Sequence, residues 1–388
     1  MGSLTRSLYS FLGLHSFLIG MFPFYIPVYL YTIGFSLSQI CCFIGLTGIG
    51  FVISLYVWDR ICRKISLNNL IALSFLSEFI FLTLFFMNKD MTFIVAAGFF
   101  NGVFNCNFWM IQRLLFLDTI NPENSGKKFG NFQIFVLIVL KIGILIGGAL
   151  LEKSGYFSVY MLSVSIALMA GIFFLLKKSD VLLNKRVLFS NPIGLKAVVG
   201  YKDRFHSVPV FVIDGAFLYL ESYFWVISLF IIVRQSYWNL GLLVILLMVI
   251  FGVIFVIIKN SIDRLPLNKM YTAAVFLYSL SWVLRGVLSE ELSNFSLLLL
   301  LALITFCTSI FRLAFNKRFF DIAKSSTAHE YIFVKSYFSQ FFLAGFSFFG
   351  FLFFAAGDSV GQLSIIYLVS AIISMGYLIY SKAERVKK

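Results

Sequence analysis

The sequence predicts an all-α integral membrane protein, with twelve transmembrane helices in two pseudo-repeated six-helix bundles. Three observations carry that expectation. The 388 residues are 60% hydrophobic and only 12% charged, with a mean hydropathy of +0.95. The apolar residues fall into uncharged runs of about 20, the length that crosses a bilayer. The basic residues collect in alternate spacers between those runs.

Composition comes first because it removes whole classes of protein. A soluble chain of this size needs a largely polar surface, and the polar residues are too few to build one. The net charge of +14 would suit nucleic acid if it marked a soluble basic face. It lies instead in short spacers, where topology accounts for it, so a bilayer and no nucleic acid is the expected partner. Cys41, Cys42, Cys62, Cys106 and Cys307 show neither a disulfide framework nor a metal-binding spacing, and packing is their expected role. No metal and no cofactor are expected.

The runs are Leu8–Tyr31, Leu37–Trp58, Leu67–Met87, Met91–Leu117, Phe129–Leu151 and Tyr156–Leu176, then Val208–Ile232, Trp238–Ile258, Met270–Leu288, Phe295–Phe315, Tyr331–Phe354 and Val360–Tyr380. They are numbered here as spans one to twelve. Span one begins after seven residues and is long enough to stay as an uncleaved anchor. With the N-terminus in the cytoplasm, 23 of the 31 Lys and Arg lie on the cytoplasmic side, five lie within spans, and Lys89, Lys153 and Arg234 lie outside. This is the positive-inside pattern, with both termini cytoplasmic. The short loops suit a bacterial inner membrane.

The spacer at 177–207 carries seven Lys or Arg and reads as a cytoplasmic linker. It separates an N-terminal bundle (1–176) from a C-terminal bundle (208–388). Asp59-Arg60 recurs as Asp263-Arg264 after 204 residues, and Arg113-Leu-Leu-Phe as Arg312-Leu-Ala-Phe after 199. Two matches at nearly one offset point to a duplicated six-helix unit.

The loop Asp59-Arg60-Ile61-Cys62-Arg63-Lys64 is similar to the Gly-x-x-x-Asp-Arg-x-Gly-Arg-Arg loop of the major facilitator superfamily, with Leu55 and Cys62 in place of the glycines. Gly143-Ile-Leu-Ile-Gly147-Gly148 resembles that family's antiporter motif without its Pro, and Phe22-Pro-Phe-Tyr-Ile-Pro27 resembles its first helix. The resemblance covers the whole chain. It implies alternating access, a central cavity lined in part by span seven, and a charged cytoplasmic gate made of Asp59, Arg60, Arg63 and Lys64 with Arg113 and Asp118. The missing Pro leans away from drug antiport.

Charges within a bilayer face a cavity or a partner. Glu78, Lys141 and Glu221 sit near mid-depth, His15 lies in the first third of span one, and Asp214 lies two turns from Glu221. Asp214, Leu218, Glu221 and Trp225 share one helical face. Glu221, Asp214 and Lys141 are the candidate proton-coupling residues, since a carboxylate held between desolvation and a nearby ammonium can load and unload a proton near neutral pH. The competing reading is a Glu221–Lys141 pair that holds the halves together. Glu78 is expected to be structural.

Asn101, Asn105, Trp109 and Gln112 on span four, Trp225 on span seven, and Thr305, Thr308, Ser309 and Arg312 on span ten are the candidate substrate-binding residues. Amides and hydroxyls in an apolar site read a small polar ligand by direction, although the same groups also bond helix to helix. Arg113 and Arg312 could grip carboxylate or phosphate, or else pair with Asp118, Asp59 or Asp321. Gly98, Gly102, Gly143 and Gly147 fit close helix packing, and Pro23 and Pro27 a bend.

The reading that results is a monomeric secondary transporter of a small polar or organic solute, proton-coupled, with an exporter of siderophore or drug type, and after it a non-transport multi-pass membrane protein, as the alternatives. An enzyme is disfavoured, because the sequence offers no His-Glu-x-x-His, no nucleophile with a base and no sizeable soluble domain.

Overall fold

The computed structural model of the chain describes residues 3–119, 125–177, 192–262, 267–288, 293–325, 328–357 and 360–382. Each of the twelve expected spans falls on a helix. Span one is Ser3–Met21, a 3-10 turn at Pro23–Tyr25 and Ile26–Thr32. Pro23 and Pro27 remove two backbone donors there, and the helix breaks where they stand. Span two is Leu37–Ile61. Ser36 starts it with a capping box, in which Gln39 N donates to Ser36 Oγ at 3.2 Å and Ser36 N to Gln39 Oε1 at 2.9 Å. Leu67–Thr83 and Met91–Thr119 follow.

Spans five and six form one helix, Ser125–Leu176, broken at Gly155, whose φ is +70°. A residue with a Cβ is strained in that conformation, so glycine marks the reversal. The two arms pack on different partners. A Cβ on Gly147 would lie 2.0 Å from the Met21 carbonyl oxygen, so the first arm lies directly on span one. On the second arm Phe157 meets Phe86, and Asn68 Nδ2 donates to the Lys177 carbonyl at 2.6 Å, which fixes an antiparallel pairing with span three.

Residues 178–191 of the expected linker lie outside the described residues; a short helix, Leu195–Val199, precedes span seven. Span seven is Ser207–Tyr219, a π-helical turn at Leu220–Phe224 and Trp225–Ile232. Tyr237–Ile262, Leu267–Gly286, Asn294–Ser325, Ala328–Ala355 and Val360–Ser374 complete the set, the last running on as 3-10 helix to Lys382. Among the described residues nine helical stretches are long and apolar enough to cross a membrane, one of them covering both spans five and six. Large apolar side chains such as Phe348, Phe349 and Ile372 point outward, as a lipid-facing surface requires.

The N- and C-terminal sets of helices meet along a seam where small residues bring backbones together. Gly48 lies against the Gln340 carbonyl of span eleven, and Gly148 against the Tyr237 carbonyl at the start of span eight. Carboxylates mark both ends of the seam. At one end Glu152 accepts from the backbone N–H groups of Tyr237 (3.0 Å) and Trp238 (3.4 Å), beside a cluster of Tyr25, Tyr29, Tyr156 and Tyr237. At the other, Asp59 accepts from Ile193 N at 2.7 Å and lies 3.5 Å from His329 Nε2. Between those ends lies the site.

Candidate functional site

Span seven supplies two carboxylates, and the helices around it supply their partners. Asp214 is 1% exposed, and a charge so buried demands compensation. Arg312 Nη1 from span ten donates to Asp214 Oδ1 at 2.8 Å, and Tyr377 OH from span twelve to the same oxygen at 3.1 Å. Lys335 Nζ from span eleven donates to Oδ2 at 2.7 Å. Two turns on, Glu221 lies in the π turn. Its Oε2 accepts from Arg312 Nε and Nη2, each at 3.0 Å, and its Oε1 from Tyr278 OH of span nine at 2.5 Å. One guanidinium therefore bridges two carboxylates, using the fixed fork that only arginine offers. Tyr278 stacks on Phe311 at 4.0 Å between centroids, which holds its hydroxyl in place.

The two carboxylates differ in surroundings. Asp214 is sealed, whereas the side chains of Glu221 and Arg312 are 17% and 18% exposed, and Ser222 beside them is open. Trp109, 38% exposed, presents its ring on span four, with the Arg113 guanidinium 5.9 Å from it. The site is thus an ion network closed at Asp214 and open at Glu221.

Arg285 of span nine extends the network. It is buried with its guanidinium 4.2 Å from the Trp282 ring and 4.9 Å from the Trp225 ring, and Nη2 donates to Thr308 Oγ1 at 2.9 Å. Trp225 and Thr308, expected as substrate contacts, both lie against this arginine.

Several other expectations shift. Lys141 makes no ion pair with Glu221 or Asp214; the cation on both is Arg312. The reason is its helix face. Lys141 shares a side of span five with Leu145 and Gly148, and that side packs on span eight at Tyr237 and Gly241. Arg113 is not part of the Asp59 gate. Its Nη1 donates to Ser336 Oγ of span eleven at 2.8 Å, because its position on span four points inward toward span eleven. Arg312 likewise pairs within the membrane, not with Asp321.

The amide stripe of span four is an internal ladder. Trp109 Nε1 donates to Asn105 Oδ1 (3.2 Å), Asn105 Nδ2 to Asn101 Oδ1 (3.0 Å), and Asn101 Nδ2 to both Thr47 Oγ1 (3.0 Å) and Tyr223 OH (3.2 Å). It ties spans two, four and seven together and leaves the Trp109 ring as the free surface. Gln112 is buried, Thr305 bonds back to the Leu301 carbonyl, and Ser309 is half-buried.

In the Asp59 loop the carboxylate is met by Arg63 Nη2 at 2.8 Å. Arg60 folds back on Tyr56, donating to its carbonyl at 2.7 Å, and Lys64 is exposed. The Asp118 side chain lies outside the described residues. Glu78 is fully buried against His15, with 2.8 Å between Oε2 and Nδ1, and the His15 ring stacks on Phe75. Neither touches the site, as a structural role requires.

Tyr278, Lys335, Tyr377 and Arg285 were not among the expected site residues. Arg285 and Lys335 were visible as in-span cations, whose cost calls for a partner; the two tyrosines carried no such signal among 18.

No curated protein matches the chain. Two crystal structures of nucleoside transporter NupG, one of them a point mutant, superpose on it with TM-scores of 0.73 and 0.72. Each is 14% identical, and the matches cover 99% and 97% of this chain and 100% and 99% of theirs. At that identity the likeness is one of fold. The sequence model of the Major Facilitator Superfamily matches residues 8–329, so this multi-pass membrane protein belongs to the Major Facilitator Superfamily, a family of secondary transporters.

Proposed function

We propose that the protein is a proton-coupled carrier that takes up a small organic solute by alternating access, with Glu221 as the proton site. The observation that carries this reading is the sharing of Arg312 between a sealed carboxylate and an open one. Asp214 keeps its charge through Lys335 and Arg312 and serves as the fixed anchor. Glu221 is reached from open space, and a proton placed on it removes half of the charge that holds Arg312. The freed Nε and Nη2 are then available to a substrate that enters from the open side of Glu221. Substrate that needs Arg312 and a proton that releases it favour one another by reciprocal linkage. Lys141 has no part in this coupling.

Glu152 at one end of the seam and Asp59 at the other support a rocking of 1–176 against 208–388, one contact breaking as the other forms. Both termini and the linker face the cytoplasm of a bacterial inner membrane in this scheme, in keeping with the basic asymmetry.

Uptake into proteoliposomes tests it. With Glu221→Gln, substrate exchange across the membrane continues while accumulation driven by a pH gradient is lost. Gradient-driven accumulation by Glu221→Gln at the wild-type level overturns the assignment.

A further inference from the structure

Span eleven meets span two along one face and leaves a gap on the next. Ala344 and Ser347 lie against Gly48 and Gly45 of span two. Phe341, Gly345 and Phe349, spaced one turn apart, form the neighbouring stripe, and a Cβ on Gly345 would meet nothing within 4 Å. A glycine between two phenylalanines therefore leaves room beside the helix. That room belongs to a groove of about 680 Å³ between spans two, seven, eleven and twelve, walled by Ile53, Ala216, Leu220, Phe341, Phe349 and Ile373. A smaller cavity of about 200 Å³ shares Ala216, Leu220 and Phe349 and extends along the seam to Cys41 and Phe353.

The chemistry of the walls and their depth select the occupant. Every residue lining the groove falls within a span, at the level of the hydrocarbon. Ile53, Phe341 and Phe349 are 51%, 65% and 70% exposed, so the rim faces lipid. Water has little to hold it there: Ser370, 1% exposed, is the only polar side chain lining the larger part, and a buried water needs several polar partners. Left empty, the walls would forfeit their van der Waals contacts. The medium at the rim is acyl chain, which is apolar and slender. Inside the groove such a chain touches protein on several sides, whereas on a convex helix surface it touches on one.

We propose that this groove binds one acyl chain of a bilayer phospholipid between the two bundles, with Gly345 and Ala216 making the room for it. Leu220 opens the π turn that carries Glu221, so the bound chain packs behind the ion network. The assignment requires only that the protein lies in a membrane, and it stands or falls separately from proton coupling.

Full-length protein is reconstituted with a phosphatidylcholine that carries a diazirine midway along one acyl chain, then irradiated, and the labelled peptides are mapped. Residues 341–349 and 212–220 take up several-fold more label than 161–173 of span six, an ordinary lipid-facing stretch where Met169 is 61% exposed. Gly345→Leu fills the gap with a better helix former, and Ala216→Leu narrows it from span seven. Each lowers the groove label several-fold and leaves that of span six unchanged. Native mass spectra of protein purified in mild detergent give a second readout, in which the wild type retains a phospholipid that both variants lose. Equal labelling of the groove and span six in the wild type overturns the proposal, as does undiminished labelling or equal lipid retention in both variants. If one variant is not recovered folded the other decides, and if neither is, the wild-type contrast between the groove and span six decides.

Discussion

Asp214→Asn is the sharpest probe of how the site is held. The substitution keeps shape and removes one charge from a carboxylate that is 1% exposed and accepts from Arg312, Lys335 and Tyr377. Two of those bonds carry a full charge on the donor. Removing one partner of a buried ion pair costs about 3–5 kcal/mol, because the cation left behind stays buried. Here two cations are left, but Arg312 keeps Glu221, so Lys335 bears most of the loss. At about 2 °C per kcal/mol the thermal midpoint falls by roughly 6–10 °C. Size-exclusion chromatography of fluorescently tagged protein after heating reads that shift. Asp214→Asn/Lys335→Met removes both partners, leaves an apolar side chain in the gap, and recovers more than half of the loss. Tyr377→Phe, which removes one neutral donor, costs less than Asp214→Asn. A midpoint lowered by less than about 2 °C in Asp214→Asn, or a double variant no better than the single one, would falsify the claim that Lys335 and Asp214 compensate each other.

Two further outcomes follow from the seam. Glu152→Ala removes the acceptor for the first N–H groups of span eight, loosening one end of the bundle by about 1 kcal/mol, the scale of a lost cap. A cysteine placed at Ala149 should then react faster with a membrane-impermeant maleimide, and an unchanged rate would argue against a gate there. Gly147→Val puts a Cβ 2.0 Å from the Met21 carbonyl oxygen, where backbone, not a flexible side chain, must move. Folded protein recovered after solubilisation should drop several-fold while Gly194→Val, with open space around it, leaves recovery unchanged; equal recovery from both would sink the close-packing argument.

The spans were legible because a bilayer imposes a length and a composition on the helices that cross it, and runs such as Leu37–Trp58 meet both without reference to any other residue. Gly98, Gly102, Gly143 and Gly147 were legible as packing positions for a similar local reason. In each case a Cβ would strike a neighbouring backbone. Asp214, Glu221 and Arg312 could be singled out because charge inside a membrane is expensive wherever it falls.

What the sequence by itself determined is therefore the solvent, the helices and the cost of each buried charge. Their pairing was decided by tertiary structure alone. Along the chain Lys141 is the partner that mid-depth suggests for Glu221. The side of span five that packs on span eight removes it from contention, while Arg312 takes the place. Arg113 could equally have joined the Asp59 loop until its face of span four met Ser336. The tyrosines behave the same way. Tyr278 and Tyr377 became site residues through helices nine and twelve docking on span seven, since hydrogen bonds act over about 3 Å and helical periodicity does not specify which face meets which neighbour.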